Sequence, residues 1–127
     1  MASEPLPSSE RSWIVNIGSI GGLIGLALEP SYCASKGAVV NLTRQVAVDY
    51  APYKIHVNDV CPGFLATAMV RPFLEKTEKN DMVHALTQWP NVGILEDVAK
   101  VVLVLASLAG SWMTGSLLNV DGGFCAK

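Results

Sequence analysis

Residues 13–19 read Trp-Ile-Val-Asn-Ile-Gly-Ser, a short apolar run that stops at a glycine and a serine. A run of this length is typical of a buried parallel strand. After a glycine-rich stretch, apolar residues repeat at helical spacing from Ser31 to about Tyr50. Ser31 is the candidate N-cap, and Pro52 would end the helix. The stretch therefore predicts a strand, a loop and a long helix.

The rest of the chain continues the alternation of strands and helices. Ile55–Cys61 alternates roughly between apolar and polar residues before a Pro-Gly pair, which predicts a second strand and a turn. Residues 64–92 are mixed and predict a loop with one or two short helices. A helix is expected from Leu95 to near Leu108, and a last strand from Gly115 to Val120. This order indicates an α/β domain with a parallel sheet covered on both faces.

Length and composition bound the class of protein. The chain has 127 residues, is 50% hydrophobic and 16% charged, and carries a formal net charge of -2, which suits one globular domain. Without a basic face, neither nucleic acid nor an anionic membrane is an expected partner. Residues 1–11 lack the pattern of a signal peptide and are expected to be a flexible lead-in. The most apolar stretch, residues 98–110, is too short to span a bilayer.

The cysteines and histidines predict neither disulfides nor a metal site. Three cysteines lie far apart, and no C-x-x-C pair or metal-ligand spacing occurs; the residues are Cys33, Cys61, Cys125, His56 and His84. Reduced thiols in a cytoplasmic protein are the simplest interpretation.

Three side chains could meet in one crevice. Tyr32 and Lys36 are four residues apart at the start of the long helix and so share a face. Ser19 follows the first strand, at the edge where open α/β sheets bind ligands. A free tyrosine is a poor base, because its phenol ionises only near about pH 10. The positive charge of Lys36 would favour the phenolate, and Ser19 could hydrogen-bond a substrate oxygen. The three groups together would suit proton removal from an alcohol.

Four motifs, in order, resemble the short-chain dehydrogenase/reductase family. Residues 32–39, Tyr-Cys-Ala-Ser-Lys-Gly-Ala-Val, look like its Tyr-x-x-x-Lys signature, and Ser19 matches its serine thirteen residues earlier. Residues 57–63, Val-Asn-Asp-Val-Cys-Pro-Gly, with Thr67, resemble its nicotinamide-side loop. Residues 119–123, Asn-Val-Asp-Gly-Gly, resemble its carboxyl-terminal turn. The resemblance covers residues 12 to 124.

The resemblance implies an oxidoreductase that uses NAD or NADP on a small alcohol or ketone. Tyr32 would be the general acid/base, Lys36 would bind the nicotinamide ribose, and Ser19 would orient the substrate. Tyr32 would also be one of the cofactor-binding residues, beside Lys36. Pro62 and Gly63 would form the loop beside the nicotinamide.

The same resemblance implies two further contacts and an insert. The backbone of Leu65 and the hydroxyl of Thr67 would hold the carboxamide and a neighbouring phosphate. Residues 68 to 88 would be the substrate-binding insert, which closes over the site.

The family's opening elements are not in this sequence. No G-x-G-x-x-G precedes Ser19, and neither the usual Asn-Asn-Ala-Gly stretch nor the catalytic asparagine is present. We therefore expect residues 12–127 to form the carboxyl-terminal part of an incomplete Rossmann-like, doubly wound sheet that lacks its N-terminal strands. Such a truncated chain would lack the adenosine-side contacts of the cofactor. The strand at residues 13–17 would become an exposed apolar edge.

Other interpretations stay open at this point. The chain could be a catalytically inactive fragment that acts only through association with a full-length homologue, or a homo-oligomer as is usual in the family. Ser19 alone could cap a turn, and Thr67 could be a helix N-cap. A serine hydrolase is disfavoured, because Ile17 stands where the G-x-S-x-G nucleophile elbow needs glycine.

Overall fold

Seven helices and strands build the described part of the chain, in the order β-α-β-α-α-α-β. The computed structural model describes residues 10–68 and 70–127. The strands and helices are β1 (Ser12–Ile17), α1 (Pro30–Tyr50), β2 (Ile55–Pro62), α2 (Arg71–Leu74), α3 (Thr77–Leu86), α4 (Leu95–Leu105) and β3 (Leu117–Val120). The predicted insert with short helices is present as α2 and α3.

The three strands form one parallel sheet in the order β1-β2-β3. In the register, Ile14 lies beside Val57, and Asp59 lies between Asn16 and Leu117. The predicted α/β architecture with a parallel sheet is confirmed. Since β2 is central, its middle residues are inaccessible to water.

The core lies on the two faces of β2. On one face Asn16 donates from Nδ2 to Oγ1 of Thr43 in α1 at 3.0 Å, so this face is covered by α1. On the other face Asn58 donates from Nδ2 to the carbonyl of Met113 at 3.1 Å, so the segment between α4 and β3 lies there. Val57 and other central residues of β2 are fully buried. As a result, the carboxyl ends of β1 and β2 are held at one rigid edge.

Three boundaries differ from the sequence prediction, and one of them is the end of α4, which lies at Leu105 and not near Leu108. The N-cap prediction for Ser31 is wrong, because α1 begins one residue earlier at Pro30 and Glu29 precedes it without a side-chain cap bond. The fixed φ angle and missing N–H of proline suit the first helical position, which explains why the helix begins at Pro30. The last strand starts at Leu117 and not at Gly115, whose φ of +71° is outside the strand range.

Of the expected flexible lead-in, residues 1–9 lie outside the described residues. Arg11 donates from Nη1 to the carbonyl of Ser111 at 3.2 Å, which ties the start of β1 to the loop before β3. In the ranges 10–68 and 70–127 no helix is both long and apolar enough to cross a membrane.

Replacing Thr43 by valine should destabilise the fold through one hydrogen bond. Thr43 is fully buried, accepts from Asn16 and donates to the Val39 carbonyl at 2.9 Å. Thr43→Val keeps the shape but leaves the Asn16 amide without its acceptor, so we expect a loss of about 1–2 kcal/mol of unfolding free energy in urea. The double variant with Asn16→Leu should lose less than the two single losses added. Strict additivity would show that the bond contributes nothing.

Candidate active site

Ser19 lies in the tight turn that follows β1. It is 5% exposed, and its Oγ accepts a hydrogen bond from the backbone N–H of Gly21 at 3.0 Å. The turn-capping role that the sequence left open for Ser19 is therefore present. Because a hydroxyl has one donor and two acceptor sites, this bond leaves the O–H of Ser19 free to donate to a substrate oxygen.

Two glycines let this turn lie directly against α1. A Cβ added at Gly21 would be 2.9 Å from Cε1 of Tyr32, and one added at Gly22 would be 2.5 Å from the carbonyl oxygen of Lys36. Such distances are below any normal contact for a side chain. Glycine at both positions thus brings Ser19 to the helix face that carries Tyr32 and Lys36.

Lys36 reaches back to the end of β1. Its Nζ donates to the carbonyl of Ile17 at 3.1 Å. Tyr32 is one turn earlier on the helix and 36% exposed, so its ring packs on Gly21 while part of it faces solvent. The structure therefore gathers the three predicted catalytic side chains at the carboxyl end of β1.

The predicted cofactor loop leaves the neighbouring strand at the same edge of the sheet. Pro62 is the last residue of β2 and pairs with Val120 of β3. The N–H of Gly63 continues this pairing with a bond to the Val120 carbonyl at 3.0 Å. A Cβ at Gly63 would be 2.8 Å from Cβ of Asp121, so only glycine lets the loop turn here.

Beyond the glycine, Leu65 and Thr67 are held by local bonds. Leu65 forms an isolated parallel bridge with Gly93 just before α4. Oγ1 of Thr67 accepts from the N–H of Val70 at 3.3 Å, and the Thr67 carbonyl accepts from Arg71 at 2.8 Å. Thr67 thus caps the turn that leads into α2, and its hydroxyl proton is available to another group.

A cavity of about 600 Å³ lies beside this loop. Its lining combines the loop after β2, the end of the insert, the start of α4 and the turn after β3; it includes Phe64, Leu65, Trp89, Asp97 and Asp121. Ser19, Tyr32 and Lys36 are not part of the lining, so the cavity adjoins the predicted cofactor loop and does not enclose the predicted catalytic side chains.

Sequence reasoning missed Asp59 as a residue of this region. Its side chain is fully buried, and burial raises the pKa of the carboxyl above its ordinary value. Burial also raises the pKa of the Cys61 thiol to about 11, with a further contribution from the charge of Asp59. The available signal was the break in the alternation of β2, where Asp59 occupies a position that the pattern of Ile55 and Val57 reserves for an apolar residue.

The donor set fits the nicotinamide half of a dinucleotide. An ammonium, a phenol and a hydroxyl stand at the strand ends where parallel α/β sheets bind such ligands. Lys36 could hold vicinal ribose hydroxyls, since its ammonium has three donors. The loop from Pro62 to Thr67 offers a hydroxyl and backbone groups to a carboxamide.

Known proteins are similar to this chain in sequence and in fold. A family model described as enoyl-(acyl carrier protein) reductase matches residues 2–125. 2-(S)-hydroxypropyl-CoM dehydrogenase 3 of Xanthobacter autotrophicus is 41% identical over 120 residues, which are 91% of this chain and 47% of that protein. A protein of the same organism named inactive 2-(S)-hydroxypropyl-CoM dehydrogenase 2 is 42% identical over 120 residues, covering 91% of this chain and 52% of the relative.

A solved structure agrees with these relatives. 4-Hydroxyisoleucine dehydrogenase complexed with NADH superposes with a TM-score of 0.87 at 30% identity, covering 91% of this chain and 47% of that one. The chain thus spans about half the length of the relatives it matches. Since the family model covers nearly all of the sequence and the fold agrees, the chain belongs to the short-chain dehydrogenase/reductase family.

Proposed function

We propose that this chain supplies the nicotinamide-side part of an NAD- or NADP-dependent dehydrogenase that acts on a small alcohol or ketone. The observation that carries the proposal is the contact of the Ser19 turn with Tyr32 and Lys36 through Gly21 and Gly22. The contact seats the Ser19 turn against the part of α1 that carries Tyr32 and Lys36, and alcohol oxidation needs the side chains of all three residues. The family membership and the dehydrogenase names of the relatives support it.

The chain's own residues divide the proton chemistry among them. In the oxidation direction the Tyr32 oxygen accepts the hydroxyl proton of the alcohol, and in reduction it returns a proton to the carbonyl oxygen. Ser19 donates its O–H to the same oxygen and stabilises the charge that develops there. The nicotinamide, when bound, supplies the hydride acceptor or donor.

The remaining predicted residues bind the cofactor and enclose the substrate. The loop through Pro62, Gly63, Leu65 and Thr67 holds the carboxamide end of the cofactor, and α2 and α3 form a specificity-determining cover. The adjoining cavity of about 600 Å³ lies where such a cover meets the loop. We place the protein in the cytoplasm, which the three free cysteines support.

A second candidate is a non-catalytic role through association, as a partial chain beside a full-length homologue or another copy. The edge of β1 favours it, because in the described sheet β1 pairs with β2 alone. On this strand Ile14 is 41% exposed and Ile17 is 48% exposed. An unpaired, apolar edge strand is a template for another chain. Co-purification that yields only monomers of this chain would count against this role.

Cofactor binding distinguishes the two candidates. We expect the purified chain to bind NADH or NADPH saturably, followed by nicotinamide fluorescence, and the double variant Tyr32→Phe, Lys36→Ala to lose that binding. The matched control is Tyr50→Phe with Lys100→Ala, which removes one hydroxyl and one ammonium from exposed positions elsewhere. A folded chain without saturable binding, or equal binding by both double variants, would refute the dehydrogenase proposal for this polypeptide.

A further inference from the structure

One peptide group joins the buried Asp59 to the lysine of the site. Nζ of Lys36 donates to the carbonyl of Ile17 at 3.1 Å, and the N–H of Gly18 donates to Oδ1 of Asp59 at 2.7 Å. That carbonyl and that N–H are the two ends of the Ile17–Gly18 peptide group. We propose that Asp59 is a positioning residue that acts through this peptide group on Lys36 and on Ser19, the next residue along. As a role in catalysis, it rests on the proposed function.

The backbone does not need Asp59 for its own hydrogen bonding. The N–H of Gly18 also lies 2.8 Å from the carbonyl of Val60, in continuation of the β1–β2 ladder. An aliphatic residue at position 59 would leave that bond in place. The strand end thus has its backbone hydrogen bond without the carboxyl. Burying a charged group that lacks a partner costs free energy, so the presence of Asp59 here calls for an explanation.

The fit between Asp59 and Gly18 is close. A Cβ at Gly18 would lie 2.6 Å from Oδ2 and 2.8 Å from Oδ1 of Asp59. Only glycine at position 18 lets the carboxyl of Asp59 approach the backbone this closely. The pair thus fixes the direction in which the chain leaves β1, and with it the place of the serine.

The charges around Asp59 are few. Burial is the largest influence on the pKa of Asp59 and raises it. Three groups lower this pKa by less: the N–H of Gly18 from β1, the Cys61 thiol of β2 and the Lys36 ammonium of α1. From β3 its register partner is the apolar Leu117. The thiol is a weak donor, and by hydrogen-bond geometry Oδ2 has no partner in the described part of the chain. Lys36 is therefore the cation whose position should depend on whether Asp59 is ionised.

A peptide group can transmit this charge. Hydrogen bonds to ionised groups are shorter and stronger than neutral ones, and bonds in a chain polarise one another. With Asp59 ionised, the Gly18 N–H bond strengthens and the Ile17 carbonyl becomes a better acceptor for Lys36. Ionised Asp59 should thus hold the ammonium at the end of β1, and protonated Asp59 should release it.

Nuclear magnetic resonance on the whole chain tests the coupling without any turnover. The Gly18 amide and the Lys36 side-chain carbon next to Nζ are followed as the pH is lowered. We expect both signals to step at one midpoint, above the ordinary aspartate value of about 3.9. In Lys36→Met the Gly18 step should move to higher pH, because a group that lowers the pKa of Asp59 is gone. In Asp59→Asn both steps should vanish, and in the control Asp49→Asn both should persist.

A flat Gly18 signal, or a Lys36 step at a different midpoint, would overturn the coupling. The wild-type and Lys36→Met titrations decide this even where Asp59→Asn folds poorly. Loss of cofactor binding with an intact coupling would refute the proposed function alone. In a chain that oxidises alcohol, Asp59→Asn should lower kcat about ten- to a hundredfold, as for loss of a hydrogen bond to a charged group. It should also change the acidic limb of the pH profile, which a merely structural residue would leave in place.

Discussion

Tyr32→Phe is expected to lower kcat/KM for alcohol oxidation by about 10²–10⁴-fold, the usual contribution of a positioned acid/base. The change removes one oxygen and keeps the ring that packs against Gly21. Because Tyr32 is 36% exposed, its hydroxyl is not a buried group whose loss would unfold the helix. Activity should therefore fall without a matching fall in stability or in NADH affinity. Initial rates over a range of alcohol concentrations measure the effect.

Tyr50→Phe is the matched control for this substitution. Tyr50 ends the same helix, is 45% exposed and packs with Tyr53 at a ring distance of 6.0 Å. Removing its hydroxyl should leave kcat/KM unchanged. Equal losses in both variants would mean that tyrosine hydroxyls act through the stability of α1, and the acid/base role of Tyr32 would have to be abandoned.

Much of the fold could be predicted from local pattern. The apolar run at residues 13–17 predicted a buried strand, and the Pro-Gly pair marked the end of β2. The meeting of Ser19, Tyr32 and Lys36 also followed from where a strand ends and a helix starts. These features are short-range, and the parallel sheet brings them together at one edge, where the candidate site forms.

What could not be predicted depends on contacts between distant residues. The bond from Gly18 to Asp59 joins positions forty-one residues apart. The local sequence indicates it only through an acid at a position where the alternation of β2 predicts an apolar residue. The N-cap assignment failed for a different reason, since Pro30 starts α1 by its own geometry and a polar residue next to it only resembled a cap. The sequence thus did not predict contacts between distant residues, or which of two adjacent residues begins a helix.

Replacing glycine by alanine should have opposite effects on stability at Gly22, in the turn after Ser19, and at Gly37, within α1. Gly22→Ala should destabilise the chain by about 1–3 kcal/mol, because its Cβ would meet the Lys36 carbonyl oxygen at 2.5 Å and backbone must shift to relieve the overlap. Gly37→Ala lies within α1 with nothing inside 4 Å of the new Cβ. There alanine should stabilise the helix by about 0.5–1 kcal/mol.

Comparing Gly22→Ala with Gly37→Ala separates the effect of adding a methyl group from the effect of the position at which it is added. Both variants add the same atoms, so a lower urea midpoint for Gly22→Ala would report the contact between the Ser19 turn and α1. A higher midpoint for Gly37→Ala would report the helix propensity of alanine where no contact interferes. Gly22→Ala should also weaken cofactor binding, because the shift that relieves the clash moves the turn away from Lys36. Gly37→Ala should bind as the wild type does. If Gly22→Ala were as stable as Gly37→Ala, the turn would not be seated on the helix, and the grouping of Ser19 with Tyr32 and Lys36 would lose its structural basis.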